Sequence, residues 1–164
     1  MNFSIELQYP AAAETVMKMI VDRHYFERKY QALEVADFEI TDDRLSADAF
    51  SIDFRFRAAG ATNIPEFARK FVGDAIRVKQ TERWRIAQRR GAIEIDIAGA
   101  PVSVQADMHL LAKGADQSTL KLDWTIRCGV PLLGGKVEKL VAEDVRRRAE
   151  ADGAVSARLV GDYA

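Results

Sequence analysis

"STLKLDWTIRCGVPLLGGKVEKLVAEDV", Ser118 to Val145, changes its period once, and that change decides the fold. Up to Cys128 the chain alternates. Leu120, Leu122, Trp124, Ile126 and Cys128 face one way, while Lys121, Asp123, Thr125 and Arg127 face the other, as in a strand with one wet face. Gly129 to Gly135, with Pro131 inside, breaks the alternation. From about Lys136 to Leu159 the repeat is helical, with Val137, Leu140, Val141, Val145, Val155 and Leu159 on one side. About 24 residues at ~1.5 Å each span roughly 36 Å, enough to cross a strongly curved sheet. Gly153 is expected to kink or fray the last turns.

Upstream of this stretch the period of two persists. Phe38 and Ile40 mark one strand, and Asp42-Asp43 is expected to turn the chain. Phe50, Ile52, Phe54 and Phe56 share a face opposite Ser51, Asp53, Arg55 and Arg57. Ile93, Ile95 and Ile97 alternate with Glu94 and Asp96, and Val102, Val104, Ala106, Met108 and Leu110 form a further strand. Turns at Gln88 to Gly91, Gly99 to Pro101 and Gly114 to Gln117 separate these runs. Short connections imply an antiparallel sheet. At the other end of the chain, Phe3, Ile5, Leu7 and Tyr9 make a strand that Pro10 stops. Helices follow over Ala11 to Asp22, with Val16, Met17, Ile20 and Val21 on one side, and over Arg23 to about Gln31, with Tyr25, Phe26 and Tyr30 available for packing.

The predicted class is α+β in the order β-α-α-β-β-β-β-β-β-α. Six or seven strands curl around one long C-terminal helix, in a single domain over residues 1–164. A sheet curled that strongly leaves a groove beneath a lone helix, and grooves of this kind hold ligands.

"AIRVKQTERWRI", Ala75 to Ile86, carries the sharpest clue. Ile76, Val78, Trp84 and Ile86 share a face with Gln80 and Glu82, so strict alternation sends an amide and a carboxylate inward. A buried carboxylate needs a cation, hydrogen bonds or water. Arg148 is the expected partner, with Asp144 four residues before it on the apolar side of the long helix. Glu82, Gln80 and Arg148 would form a polar cluster orienting a ligand. Two other readings stay open: a structural salt bridge, or a bulge near Thr81 that returns Glu82 to solvent. Phe54, Trp84, Met108, Trp124 and Val141 are the expected apolar walls. In Ile64 to Val72, Phe67 and Phe71 stand at i, i+4 spacing and form either a lid or a plug at one end of the sheet.

Composition narrows the function classes. Lys plus Arg total 24 against 25 Asp plus Glu, which gives no pointer to nucleic acid. Cys128 is the single cysteine and, with only His24 and His109, makes no zinc pattern. No metal and no cofactor are expected. Gly134-Gly135 lacks the surroundings of a phosphate loop, and no nucleophile–base–acid signature is found. His24 and His109 are expected at the surface and Cys128 as an inert inward thiol. The basic groups Arg83, Arg85, Arg89, Arg90 and Arg146 to Arg148 are expected on solvated faces. The first ten residues lack a signal core, and no run reaches the ~18 apolar residues of a membrane span, so a cytoplasmic location is expected.

The element order resembles the helix-grip fold of the START-like superfamily, which includes the birch-pollen allergen, lipid-transfer domains, polyketide cyclases and coenzyme-Q-binding proteins. "YPAAAETVMKMIVDRHYFERKY" is similar to that superfamily's opening. "NIPEFARKFVG" (Asn63 to Gly73) followed by "TERW" (Thr81 to Trp84) most resembles the bacterial domain family of unknown function numbered 2505. The resemblance implies a hydrophobic-ligand cavity and supplies no catalytic set. A small hydrophobic or amphipathic ligand (lipid, isoprenoid or polyketide-like) is the leading expectation. A cyclase-like or hydratase-like enzyme using Glu82, and a protein-interaction module, are the alternatives. Ligand identity and oligomeric state are not encoded legibly.

Overall fold

The structure is a computed structural model, and it describes residues 1–58, 64–73 and 75–164. Asn63 of the quoted motif lies outside them. Strand β1 (Asn2–Tyr9) leads into helices α1 (Ala13–Ile20) and α2 (Arg23–Ala32). Strands β2 (Ala36–Leu45) and β3 (Ala49–Ala58) precede a short helix α3 (Glu66–Val72). Four strands then follow, β4 (Ile76–Arg85), β5 (Arg90–Ile97), β6 (Val102–Ala112) and β7 (Ser118–Cys128). Helix α4 (Gly134–Leu159) and a 3-10 turn (Val160–Tyr163) close the chain. The strands form one sheet in the order β1-β7-β6-β5-β4-β3-β2, every neighbouring pair antiparallel. This is the expected α+β helix-grip architecture.

Local chemistry explains most boundaries. The side chain of Asp22 accepts from the His24 backbone N–H at 3.0 Å and so caps α2. Asp42-Asp43, expected to turn, instead continues β2. A register shift between Ile40 and Asp42 absorbs the irregularity, and the chain reverses at residues 46–48. There the Ser46 hydroxyl accepts from the Ala49 backbone N–H at 3.1 Å. Within β4 the pairing with β3 and β5 runs without interruption through Thr81, whose hydroxyl donates to Asp53 Oδ1 at 2.6 Å on the outer face. The bulge reading is therefore wrong, and Glu82 faces inward.

Helix α4 lies across the concave face and rests mainly on β1, β7 and α2. It runs unbroken through Gly153, contrary to the expected kink. Gly153 packs closely on β1, where a Cβ would stand 3.0 Å from Leu7 Cδ2. The hydrophobic core gathers the inward residues of every strand beneath α1, α2 and α4. Among the described residues no helix is long and apolar enough to cross a membrane.

Candidate functional site

The cavity begins where the two covering helices differ. Over β2 and β3, α2 contributes Phe26 and Tyr30, and these rings fill the space. Tyr30 stacks on Phe38 at 4.6 Å between centroids and meets Phe54 at 5.0 Å, while Phe26 meets Phe54 at 5.8 Å. Over β4 to β6 the covering surface is α4, whose cavity-lining residues include Val141, Val145, Ala149 and Ala151. Between α4, which also brings Leu140, Arg147 and Arg148 to its wall, and these strands lies a hollow of about 750 Å³. That volume lies within the usual ~300–1,000 Å³ of small-molecule sites.

Strand register orders the cavity from end to end. Ala58 pairs with Ile76, Val78 with Ile97, and Val102 with Cys128, so these residues share one end of the barrel. Phe71 and Val72 of α3, Pro101 and Val130 line the cavity beside them, giving an apolar end. Moving along β4 away from it, the wall passes Val78, then Gln80 and Glu82, then Trp84. At ~3.3 Å per residue, Glu82 lies roughly 20 Å along the strand from Ile76.

At that inner position a polar cluster has assembled. Gln80 Nε2 donates to Glu82 Oε1 at 2.8 Å, and both residues are buried. Lys29, only 4% exposed, reaches in from α2 and pairs with Asp152 of α4 at 3.1 Å. Its ammonium also stands 4.8 Å from the centroid of Tyr25 and 5.0 Å from those of Phe26 and Tyr30. The Tyr25 hydroxyl shares a 2.6 Å hydrogen bond with Ser156. Burial raises the Glu82 carboxyl above its ordinary value; Lys29 opposes this and Asp152 adds to it. Burial alone would lower the Lys29 ammonium, but Asp152, with Tyr30 and Glu82, more than offsets it and holds it above its ordinary value. Tyr9, Tyr25 and Tyr30 are pushed up chiefly by burial.

Of the ten residues singled out in the sequence, Gln80, Glu82, Trp84, Phe71, Met108, Trp124, Val141 and Arg148 line this cavity. Phe54 does not; it is fully buried in the aromatic cluster under α2. Phe67 is half-buried on α3, and of the two phenylalanines there only Phe71 borders the hollow. The expected pairing of Glu82 with Arg148 is also corrected. Arg148 Nε meets Asp144 Oδ2 at 2.5 Å, and Arg147 meets the same carboxylate. A partner one helical turn away needs no long-range ordering, so the local contact wins.

Lys29 was missed because a lysine in a charged helix reads as solvated. Its position held the signal, since it follows Tyr25 by four residues and Phe26 by three and so shares their inward face. The remaining candidates sit as follows. Cys128 points inward but is half-buried and lines the cavity. His24 is exposed and bonds Glu27 at 3.0 Å. His109 is half-buried and paired across the sheet with Arg90 and Lys121. Among the described residues there is no group of three or more potential metal ligands.

A family profile described as "Protein of unknown function (DUF2505)" matches residues 4–160. No curated protein matches the sequence. Among solved structures, a protein from Thermus thermophilus is similar with TM-score 0.68 and 20% identity, covering 98% of this chain and 97% of that one. The Zhui aromatase/cyclase from Streptomyces sp. R1128 gives TM-score 0.64 at 12% identity, over 99% and 93%. A START superfamily protein from Mycobacterium smegmatis gives 0.53 at 16%, over 96% and 98%. At these identities the likeness establishes the fold.

Proposed function

The chain belongs to the DUF2505 family and carries a START-like helix-grip fold, and from that footing we propose that it binds a small amphipathic molecule between sheet and α4. The observation that carries this reading is the hollow of about 750 Å³, apolar along most of its wall and polar at Gln80, Glu82 and Lys29. Apolar surface removed from water, at about 25 cal/mol per Å², supplies the affinity before ordering costs are subtracted. The polar cluster fixes which end of the molecule goes inward.

Titration with the neutral fluorophore N-phenyl-1-naphthylamine tests it, because Trp84 and Trp124 both border the cavity and report occupancy. One probe per chain is expected. Ile95→Trp, which narrows the hollow opposite Gln80 on β5, should weaken uptake while the protein stays folded. Uptake that is absent in the native chain would overturn the reading.

A second reading, catalysis by Glu82 as a general acid, is favoured by one observation. Its carboxyl is raised by burial and borders a space large enough for a substrate. Turnover of a bound compound that vanishes in Glu82→Gln would establish it, and turnover indifferent to that change would end it.

A further inference from the structure

We propose that the inner end of the cavity selects ligands whose polar group is a protonated amine, held by Glu82. The inference rests on the small-molecule reading above and names the chemical class of its ligand.

The charges around the cavity do not balance. Among the described residues, Lys29, Arg147 and Arg148 face Glu82, Glu143, Asp144 and Asp152, three cations against four carboxylates. Most of these are already engaged or solvated. Arg147 and Arg148 share Asp144, Glu143 is exposed, and Lys29 is held by Asp152. Glu82 is the remainder. It is 7% exposed, and among the described residues no cation lies within ion-pair distance of it. Its one side-chain donor among those residues is Gln80 Nε2, which reaches Oε1 only. The second carboxylate oxygen and the Gln80 carbonyl are left as acceptors bordering the hollow.

An ammonium supplies what is missing, a positive charge and up to three donors on one compact atom. The competing polar groups do less. A ligand carboxylate would add a like charge to a wall already in excess of acid, and Lys29 is committed to Asp152 and three aromatic rings. A hydroxyl offers one donor and leaves the charge uncompensated, so Glu82 would keep its proton. Proton and ammonium therefore compete for one site. The titratable groups facing Glu82 are Lys29, Tyr25 and Tyr30 from α2 and Asp152 from α4; its neighbours on β3 and β5 are Ile52 and Ile93. Among the described residues no histidine lines the cavity.

Three probes with one apolar body separate these cases: n-decylamine, n-decanol and n-decanoate, titrated into the full chain and followed by tryptophan fluorescence and calorimetry. At about pH 8 the amine should bind about tenfold tighter than the alcohol, with decanoate weakest. As the pH is lowered from about 8, the amine affinity should fall as Glu82 takes up its proton, while the amine itself stays charged. Glu82→Gln should erase the preference for amine and keep alcohol binding. Decanol or decanoate binding as tightly as the amine, or an amine preference surviving in Glu82→Gln, would overturn the proposal. Should that variant fail to fold, the order of the three affinities in the native chain decides alone. If none of the three binds, the cavity reading falls first and this one with it.

Discussion

Strands β3 and β4 are neighbours on one concave face, yet along Ile52 and Phe54 the interior is filled while along Gln80 and Glu82 it is hollow. Phe54 pairs with Gln80 and Ile52 with Glu82, so each filled position on β3 adjoins a hollow one on β4. The sheet does not create this difference; the helices above it do. Helix α2 presses the rings of Phe26 and Tyr30 onto β3, whereas between α4 and β4 a hollow remains. Core and cavity are thus two settings of one construction, distinguished by how closely the covering helix packs onto the sheet.

That contrast can be broken at several points. The largest effect should come from Phe54→Ala, which opens a void in the filled half and should cost about 3–5 kcal/mol in urea unfolding, with probe uptake in the neighbouring cavity retained. If uptake collapses along with stability, the two halves are not separable. Next is Gly91→Ala on β5, where a Cβ would stand 2.6 Å from the Arg83 carbonyl oxygen and 2.8 Å from the Trp84 ring. The indole at the end of the hollow has its seat only because Gly91 is bare. A loss of about 1–3 kcal/mol is expected, together with a shifted Trp84 emission; unchanged emission would show that the ring does not depend on this contact.

Glu82→Gln should give a smaller effect that depends on pH. The folded state raises this carboxyl above its unfolded value, so it binds the proton more tightly than the unfolded chain does. The stabilisation is full below the unfolded value of about 4.3 and is lost as pH rises through the folded one. Glutamine does not titrate, so thermal unfolding should find the variant gaining on the native protein as pH increases. A constant difference across pH would mean Glu82 is solvated. Gly153→Ala should change least, because a gain of up to about 1 kcal/mol in helix propensity is offset by crowding against the flexible end of Leu7.

The sheet was legible because alternation is a strict geometric consequence of the extended chain, and β3 through β7 obey it. The hollow was legible for the same reason, since Gln80 and Glu82 broke the apolar rule without breaking the period. Contacts between elements were not. The spacing of Asp144 and Arg148 already offered an i, i+4 pair, but whether the guanidinium turns to that neighbour or reaches Glu82 is decided by the distance between α4 and β4, which the sequence does not state. Lys29 was hidden by its chemistry, because only the aromatic rings and Asp152 brought by the fold make its burial tolerable. Asp42-Asp43 misled because a bulge in an edge strand can hold residues that usually bend the chain.

The pairing of β1 with β7 sets Asn2 beside Thr125, and this bears on the order of assembly. Hairpins from β3 to β7 can form between segments close in sequence, but the first strand must wait for a partner made more than a hundred residues later. Loop-closure entropy rises, though slowly, with separation in sequence, and contacts this non-local are expected to form late in folding. Until it happens the β7 edge is bare and α4 lacks half of its bed. Pulse-labelled hydrogen exchange should therefore protect the amides of β4 to β6 before those of β1.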